Sequence, residues 1–166
     1  MAQTSLGGTP VTLAGDVPAI GAQAPEFTLV NADLEEVTLA DVAGKRVVLN
    51  IYPSIDTGVC AQSVRTFNEL ATKLDNTVVL GVSHDLPFAL NRFCGAEGIE
   101  NMQTLSAFRS SFGDDYGVTL QDSPMAGLLA RAIVVLGTDG EVTYTQVVPE
   151  IRSEPDYDAV LAHLRS

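Results

Sequence analysis

The sequence predicts an α/β protein, a sandwich in which helices flank a central mixed sheet. Two apolar runs, residues 46–52 and 78–83, have the near-continuous hydrophobicity of strands that are buried on both faces. The segment between them carries an apolar stripe at helical spacing from about Val59 to Leu74. Two buried strands joined by a helix are expected to be parallel, with a right-handed crossover. A late hairpin adds antiparallel strands, which makes the sheet mixed.

Two hairpins are predicted before the first buried strand. Short apolar segments separated by glycine, proline, asparagine or aspartate are typical of hairpins. The pattern occurs twice, with residues 4–6 and 11–13 flanking Gly7-Gly8-Thr9-Pro10 and residues 27–30 and 37–39 flanking Asn31-Ala32-Asp33. The first of these places a hairpin at the N-terminus.

The second half of the chain is predicted to alternate between helices and a hairpin. Pro87 opens a helix that runs to about Cys94, where Gly95 fits a C-terminal cap. The other segments are a short helix at most over 106–112, strands over 132–136 and 142–148 joined by the tight turn 137–140, and a helix over 156–164.

Length and charge narrow the class of protein. A chain of 166 residues suits one domain, which we assign to residues 1–166. The net charge of −12 argues against binding to nucleic acid or to anionic lipid. The first residues lack the features of a signal peptide, and no apolar run approaches the ~20 residues that span a membrane. We therefore expect a cytoplasmic protein, in which a disulfide is more often catalytic than structural.

The segment Pro53-Ser54-Ile55-Asp56-Thr57-Gly58-Val59-Cys60 links the end of a buried strand to a helix. Open α/β sheets place their sites at such ends. Cys60 falls in the first turn of the predicted helix, where unpaired backbone N–H groups and the helix dipole stabilise a thiolate. It also lies on the apolar stripe, and free cysteines are often small core residues. Position alone therefore leaves both a nucleophile and a core residue open.

Cys94 is the only other cysteine. Its separation from Cys60 rules out a C-x-x-C exchange motif, and two cysteines with two scattered histidines make no metal-binding cluster. The stretch 92–98 has the composition of a helix end that runs into a glycine-rich, mobile segment. A resolving thiol needs such mobility, because bridged Cα atoms must come within ~7 Å. A buried, inert cysteine is the alternative.

Two other polar features of the sequence bear on catalysis. Ser83, His84 and Asp85 are consecutive, so the alternation of side chains along a strand prevents them from converging as a hydrolase triad. Arg131 is the only charged residue in the apolar stretch 125–136. It is interpreted either as a strand-edge residue with its head in water or as a cation directed at an anion, such as a thiolate or a peroxide oxygen.

The sequence resembles the peroxiredoxin family. Pro53, Thr57 and Cys60 form its P-x-x-x-T-x-x-C pattern. Longer strings resemble the thiol peroxidase subfamily, namely residues 53–60 with 63–65, and residues 85–89, 92–98, 127–132 and 154–157. The resemblance covers essentially the whole chain.

This resemblance implies a thioredoxin-like fold with an N-terminal hairpin, and a homodimer that is re-reduced by thioredoxin or a similar dithiol. It implies that Cys60 is the peroxidatic cysteine and Cys94 the resolving one, joined in a disulfide within one subunit. Thr57, Arg131 and Pro53 match the active-site threonine, arginine and proline of the family.

The expected reaction is the reduction of hydrogen peroxide or organic hydroperoxides to water and alcohols through a Cys60 sulfenic acid, in antioxidant defence. No metal or organic cofactor is expected. Arg131 and the helix N-terminus hold the thiolate, Pro53 shields the site, and the Thr57 hydroxyl accepts from the peroxide and donates to the sulfur. The alternatives are a non-catalytic protein with a structural Cys60–Cys94 link and a reductase of protein disulfides.

Overall fold

A computed structural model describes residues 2–165 of the chain. The strands are β1 (Gln3–Leu6), β2 (Thr9–Thr12), β3 (Thr28–Val30), β4 (Glu36–Thr38), β5 (Arg46–Ile51), β6 (Thr77–Ser83), β7 (Gln103–Ser106), β8 (Ala132–Leu136) and β9 (Val142–Val147). The helices are α1 (Gly58–Ala71), α2 (Pro87–Glu97), α3 (Phe112–Asp115) and α4 (Tyr157–Arg165), with a 3₁₀ turn at Leu39–Val42.

The central sheet has seven strands in the order β4-β3-β7-β6-β5-β8-β9. Strands β5, β6 and β7 are parallel, and the flanking pairs are antiparallel. Strands β1 and β2 form a separate N-terminal hairpin. The mixed sheet, the parallel pair β5–β6 and the N-terminal hairpin confirm the predicted architecture.

Strand β7 was missed, and the helix predicted over 106–112 is wrong. Ser106 ends β7, and a single helical turn begins only at Phe112. The strand has four residues, too few for a period to be read from the sequence. Its pairing is supplied by β6, through the register Leu80↔Gln103 to Ser83↔Ser106.

The predicted cap at Gly95 is also wrong. Helix α2 continues to Glu97 and is capped by Gly98, whose φ of 66° lies in the left-handed region. The N–H groups of Gly98 and Ile99 both donate to the carbonyl of Cys94. Gly95 lies inside the helix, where glycine weakens it by about 1 kcal/mol relative to alanine.

Two apolar clusters cover the two faces of the sheet. Alternate residues of β5 belong to different clusters, with Leu49 in one and Val48 in the other. Helices α1, α2 and α4 pack on the Val48 side, through residues such as Val64, Leu90 and Val160. The hairpin and the segment after β7 cover the opposite side. Within the part of the chain described, no helix is long and apolar enough to cross a membrane.

Candidate active site

The site forms where β5 passes into helix α1. Thr57 is the N-cap of α1, and its hydroxyl oxygen accepts from the backbone N–H of Cys60 at 3.4 Å. The same hydroxyl donates to the Ser54 carbonyl at 3.1 Å. Cys60 thus lies in the first turn of the helix, and it is completely buried. In this structure the one hydroxyl hydrogen of Thr57 is donated to the Ser54 carbonyl and not to the sulfur of Cys60.

Arg131 reaches Cys60 from the start of β8. Its Nη2 donates to Sγ of Cys60 at 3.2 Å, and its Nε donates to the carbonyl of Ile151 at 2.9 Å. The side chain is 2% exposed, so it is not a strand-edge residue with its head in water. A buried guanidinium is costly unless an anion accompanies it. The contact puts this buried cation directly against the sulfur of Cys60. Within residues 2–165, Nη1 of Arg131 has no hydrogen-bond partner.

Asp85 fixes the loop that carries Thr57. Its carboxylate accepts from the hydroxyl of Ser54 at 2.8 Å, from the backbone N–H of Ile55 at 2.7 Å and from the hydroxyl of Ser83 at 2.7 Å. His84 points away and contacts the carbonyl of Gly127 at 2.8 Å. Ser83, His84 and Asp85 do not converge as a triad, as predicted. The role of Asp85 was missed, although its place at the end of β6, beside β5, is a usable signal.

A polar pair under the first turn of α1 was also missed. Asn50 donates to the hydroxyl of Ser63 at 3.2 Å, and Ser63 donates to the carbonyl of Cys60 at 2.8 Å. These contacts tie the first turn to the middle of the sheet. Asn50 is the one polar residue inside an otherwise apolar buried strand, and that interruption is the signal that could have identified it.

A cavity of about 420 Å³ opens beside Thr57 and Arg131. Most of its wall is apolar, with Leu6, Pro53, Val59, Pro124, Met125 and Ile151 as the main contributors. A larger cavity of about 730 Å³ lies by the β3–β4 hairpin, but it contains none of the predicted site residues. Three of the predicted site residues, Pro53, Thr57 and Arg131, line the cavity of about 420 Å³.

Cys94 lies apart from this cavity, inside helix α2. Its sulfur is 3.2 Å from the hydroxyl of Thr104, and it packs against the same apolar cluster that contains Cys60. Burial raises the pKa of the Cys94 thiol, and the hydrogen bond with Thr104 partly opposes this. Both cysteines are free thiols. The structure thus brings Pro53, Thr57, Cys60 and Arg131 together and leaves Cys94 outside that group.

The described residues contain no group of three or more histidine, cysteine, aspartate or glutamate side chains that could hold a metal ion.

Comparison with known proteins agrees with this geometry. The model of the Redoxin family matches residues 19–161. The thiol peroxidases of Corynebacterium glutamicum and Mycobacterium tuberculosis are 56% and 59% identical over 164 residues, and the alignments cover 99% of each chain. The crystal structure of a peroxiredoxin-like protein from Aquifex aeolicus superposes with a TM-score of 0.95 at 38% identity, covering 99% of this chain and 96% of that one. The chain therefore belongs to the redoxin family, and within it to the thiol peroxidases of the peroxiredoxin group.

Proposed function

We propose that Cys60 reduces hydroperoxides as a thiolate and that Cys94 then closes a disulfide with it inside the same subunit. The observation that carries the proposal is the buried contact of 3.2 Å between Arg131 and Cys60 at the N-terminus of α1. It puts a buried cation against a sulfur that lies in the first turn of a helix, where the helix dipole favours negative charge. Membership of the thiol peroxidases supplies the reaction class, which is thiol-dependent reduction of peroxides.

In the first step the thiolate attacks the terminal oxygen of the hydroperoxide. An S–O bond forms, the O–O bond breaks, and the leaving alkoxide takes a proton to become an alcohol, or water when the substrate is hydrogen peroxide. Nη1 of Arg131 bonds no acceptor among the described residues, so its N–H groups can donate to the peroxide. Thr57 has a second lone pair to accept from the peroxide O–H. Donors placed where charge develops are typically worth about 10²–10³-fold in rate.

The second step joins the two cysteines. Cys94 attacks the sulfenic sulfur of Cys60, the S–O bond breaks, and water leaves. Because Cys94 lies within α2, the last turns of that helix must open first. Gly95 weakens this part of the helix. The exposed ion pairs Arg65–Glu97 and Arg92–Asp56 hold it, and such surface pairs contribute at most about 1 kcal/mol each.

Recycling requires a dithiol, because the disulfide must regain two electrons and two protons. We propose thioredoxin or a similar protein as this reductant, a cytoplasmic location where such reductants act, and a homodimer. The apolar wall beside Thr57 fits organic hydroperoxides in addition to hydrogen peroxide.

The test is stopped-flow oxidation of the reduced protein by hydrogen peroxide and by cumene hydroperoxide, with Cys60→Ser as the matched control. We expect rapid oxidation of the wild type and none in Cys60→Ser. Oxidation that persists without Cys60 would overturn the proposal. Turnover of an insulin disulfide faster than of peroxide would instead assign the protein to the disulfide reductases.

A further inference from the structure

A carboxylate outside the cavity organises the N-terminal hairpin. Glu150 accepts hydrogen bonds from the backbone N–H groups of Arg152 at 2.9 Å, Gly8 at 2.9 Å and Gly7 at 3.1 Å. The hydroxyl of Ser5 lies 3.1 Å from the same carboxylate. These bonds, with that from Arg152 the strongest, lower the pKa of Glu150 to about 2. The carboxylate is therefore ionised throughout the working range of pH.

The turn of the hairpin is shaped to hold this anion. Gly7 and Gly8 have φ angles of 60° and 87°, the left-handed values that a two-residue hairpin turn requires. Successive N–H groups in such a turn point to one side and form a small concavity that binds anions. The carboxylate of Glu150 occupies that concavity, so the hairpin is attached to the segment 148–152 through a charge.

The same segment holds the catalytic arginine on its other side. The carbonyl of Ile151, the residue after Glu150, accepts a hydrogen bond from Nε of Arg131. The backbone N–H of Ile151 donates to the Ser5 carbonyl at 2.8 Å. The backbone carbonyl of Arg131 accepts from the N–H of Val148 at 3.0 Å. The carbonyl of Val148 in turn accepts from the Thr4 hydroxyl at 2.8 Å. The hairpin, the segment 148–152 and Arg131 thus form one connected layer next to Cys60.

The orientation of the guanidinium depends on this layer. Among the described residues, the carbonyl of Ile151 and the sulfur of Cys60 are the only hydrogen-bond partners of the Arg131 side chain. The guanidinium is planar, so its bond from Nε to Ile151 sets the direction in which Nη1 and Nη2 point. A small shift of the Ile151 carbonyl therefore turns Nη1 and Nη2 away from the sulfur and from the peroxide.

We propose that Glu150 is a positioning residue for Arg131. By anchoring the Gly7–Gly8 turn it fixes the carbonyl of Ile151, and this carbonyl aims the guanidinium at Cys60. The hairpin is then part of the support of the active site. This inference rests on the proposed roles of Cys60 and Arg131 in peroxide reduction.

The test is the variant Glu150→Gln, which keeps the shape but replaces one acceptor oxygen with an amide that faces N–H donors. We expect the second-order rate of Cys60 oxidation by hydrogen peroxide to fall roughly tenfold or more, because small misplacements of a reacting group are costly. Glu35→Gln is the matched control, because Glu35 is exposed and contacts the turn residue Asn31 of the β3–β4 hairpin.

A double-mutant cycle with Arg131→Lys shows whether Glu150 acts through Arg131. The expected result is that Glu150→Gln has no further effect on the rate once Arg131 is Lys. The inference is overturned if the single variant stays within about twofold of the wild type, or if its effect is equally large in the Arg131→Lys protein. If Glu150→Gln does not fold, Gly8→Ala decides by the same criteria, because it strains the turn where no atom lies within 4 Å of the added methyl. A wild type that does not react with peroxide refutes the proposed function instead.

Discussion

The guanidinium of Arg131 and the sulfur of Cys60 form a buried contact of 3.2 Å between the start of β8 and the first turn of α1. Both side chains are almost completely removed from solvent, at 2% and 0% exposure. Charges that are buried in this way stabilise each other only when their geometry is fixed. In the proposed mechanism this contact makes the reactivity of Cys60 depend on the placement of Arg131.

Replacing Arg131 with Lys is expected to slow the oxidation of Cys60 by about 10²-fold or more. A lysine ammonium keeps the charge but cannot bond Ile151, the sulfur and the peroxide from one planar group. The measurement is the stopped-flow rate with hydrogen peroxide, beside a thermal melt that shows the variant is folded. Arg109→Lys, at an exposed position, is the control. A rate near that of the wild type would remove Arg131 from the mechanism.

Replacing Cys94 with Ser is expected to separate the two steps. The variant should consume one equivalent of peroxide at the wild-type rate, because Cys94 lies outside the group around Cys60, and should then stop as a sulfenic acid that is open to further oxidation. Mass spectrometry after one equivalent would show one added oxygen on Cys60. If the variant takes up no oxygen while the wild type turns over, the roles of the cysteines are reversed.

Replacing Gly95 with Ala is expected to slow disulfide formation about two- to fivefold, because alanine stabilises the helix by about 0.5–1 kcal/mol that opening must overcome. No atom lies within 4 Å of the position that the new methyl would take, so packing is unchanged. The rate of the second kinetic phase measures the effect, and the unchanged rate of the first phase is the internal control. Equal or faster disulfide formation would show that α2 does not open in this step.

Replacing Tyr116 with Phe is expected to make the free energy of unfolding fall less steeply with rising pH than it does in the wild type, in the alkaline range. Burial, with a smaller contribution from Asp115, raises the pKa of Tyr116 above its ordinary value of 10.0. The folded state therefore holds the proton more tightly, so this stabilisation is complete below pH ~10 and is lost as the pH rises beyond it. Urea unfolding at neutral pH and above pH ~10 measures this pH-dependent stabilisation.

Near pH 7 the Tyr116→Phe variant should lose about 1 kcal/mol of stability, because Tyr116 donates to the carbonyl of Pro25 at 2.8 Å. An unchanged alkaline slope would contradict the assignment.

The sequence predicted best what depends on neighbouring residues. Pro53, Thr57 and Cys60 stand close together in sequence, and their strand-to-helix transition was readable from local pattern. A charge in an apolar stretch is unusual and draws attention to Arg131, but only its burial in the structure separates the two interpretations of it.

The parts that were missed depend on distant pairing. Strand β7 is too short to show a period and is defined by its pairing with β6. Gly95 and Gly98 are equally good caps by composition, and only the left-handed φ of Gly98 distinguishes them. Nothing in the sequence distinguishes Glu150 from the other acidic residues, 21 in all. Its partners Gly7 and Gly8 lie at the other end of the chain, so no local pattern reveals them.

The carbonyl of Cys94 accepts both hydrogen bonds that close the end of α2, from Gly98 and from Ile99. In the proposed second step Cys94 swings toward Cys60, and the two amides would then lose their acceptor at the same moment. Their hydrogens then exchange with solvent deuterium, while those of the sheet interior stay protected. Paired deuterium uptake at Gly98 and Ile99 is therefore expected to report how often Cys94 leaves its place in α2, in the reduced protein and without any peroxide.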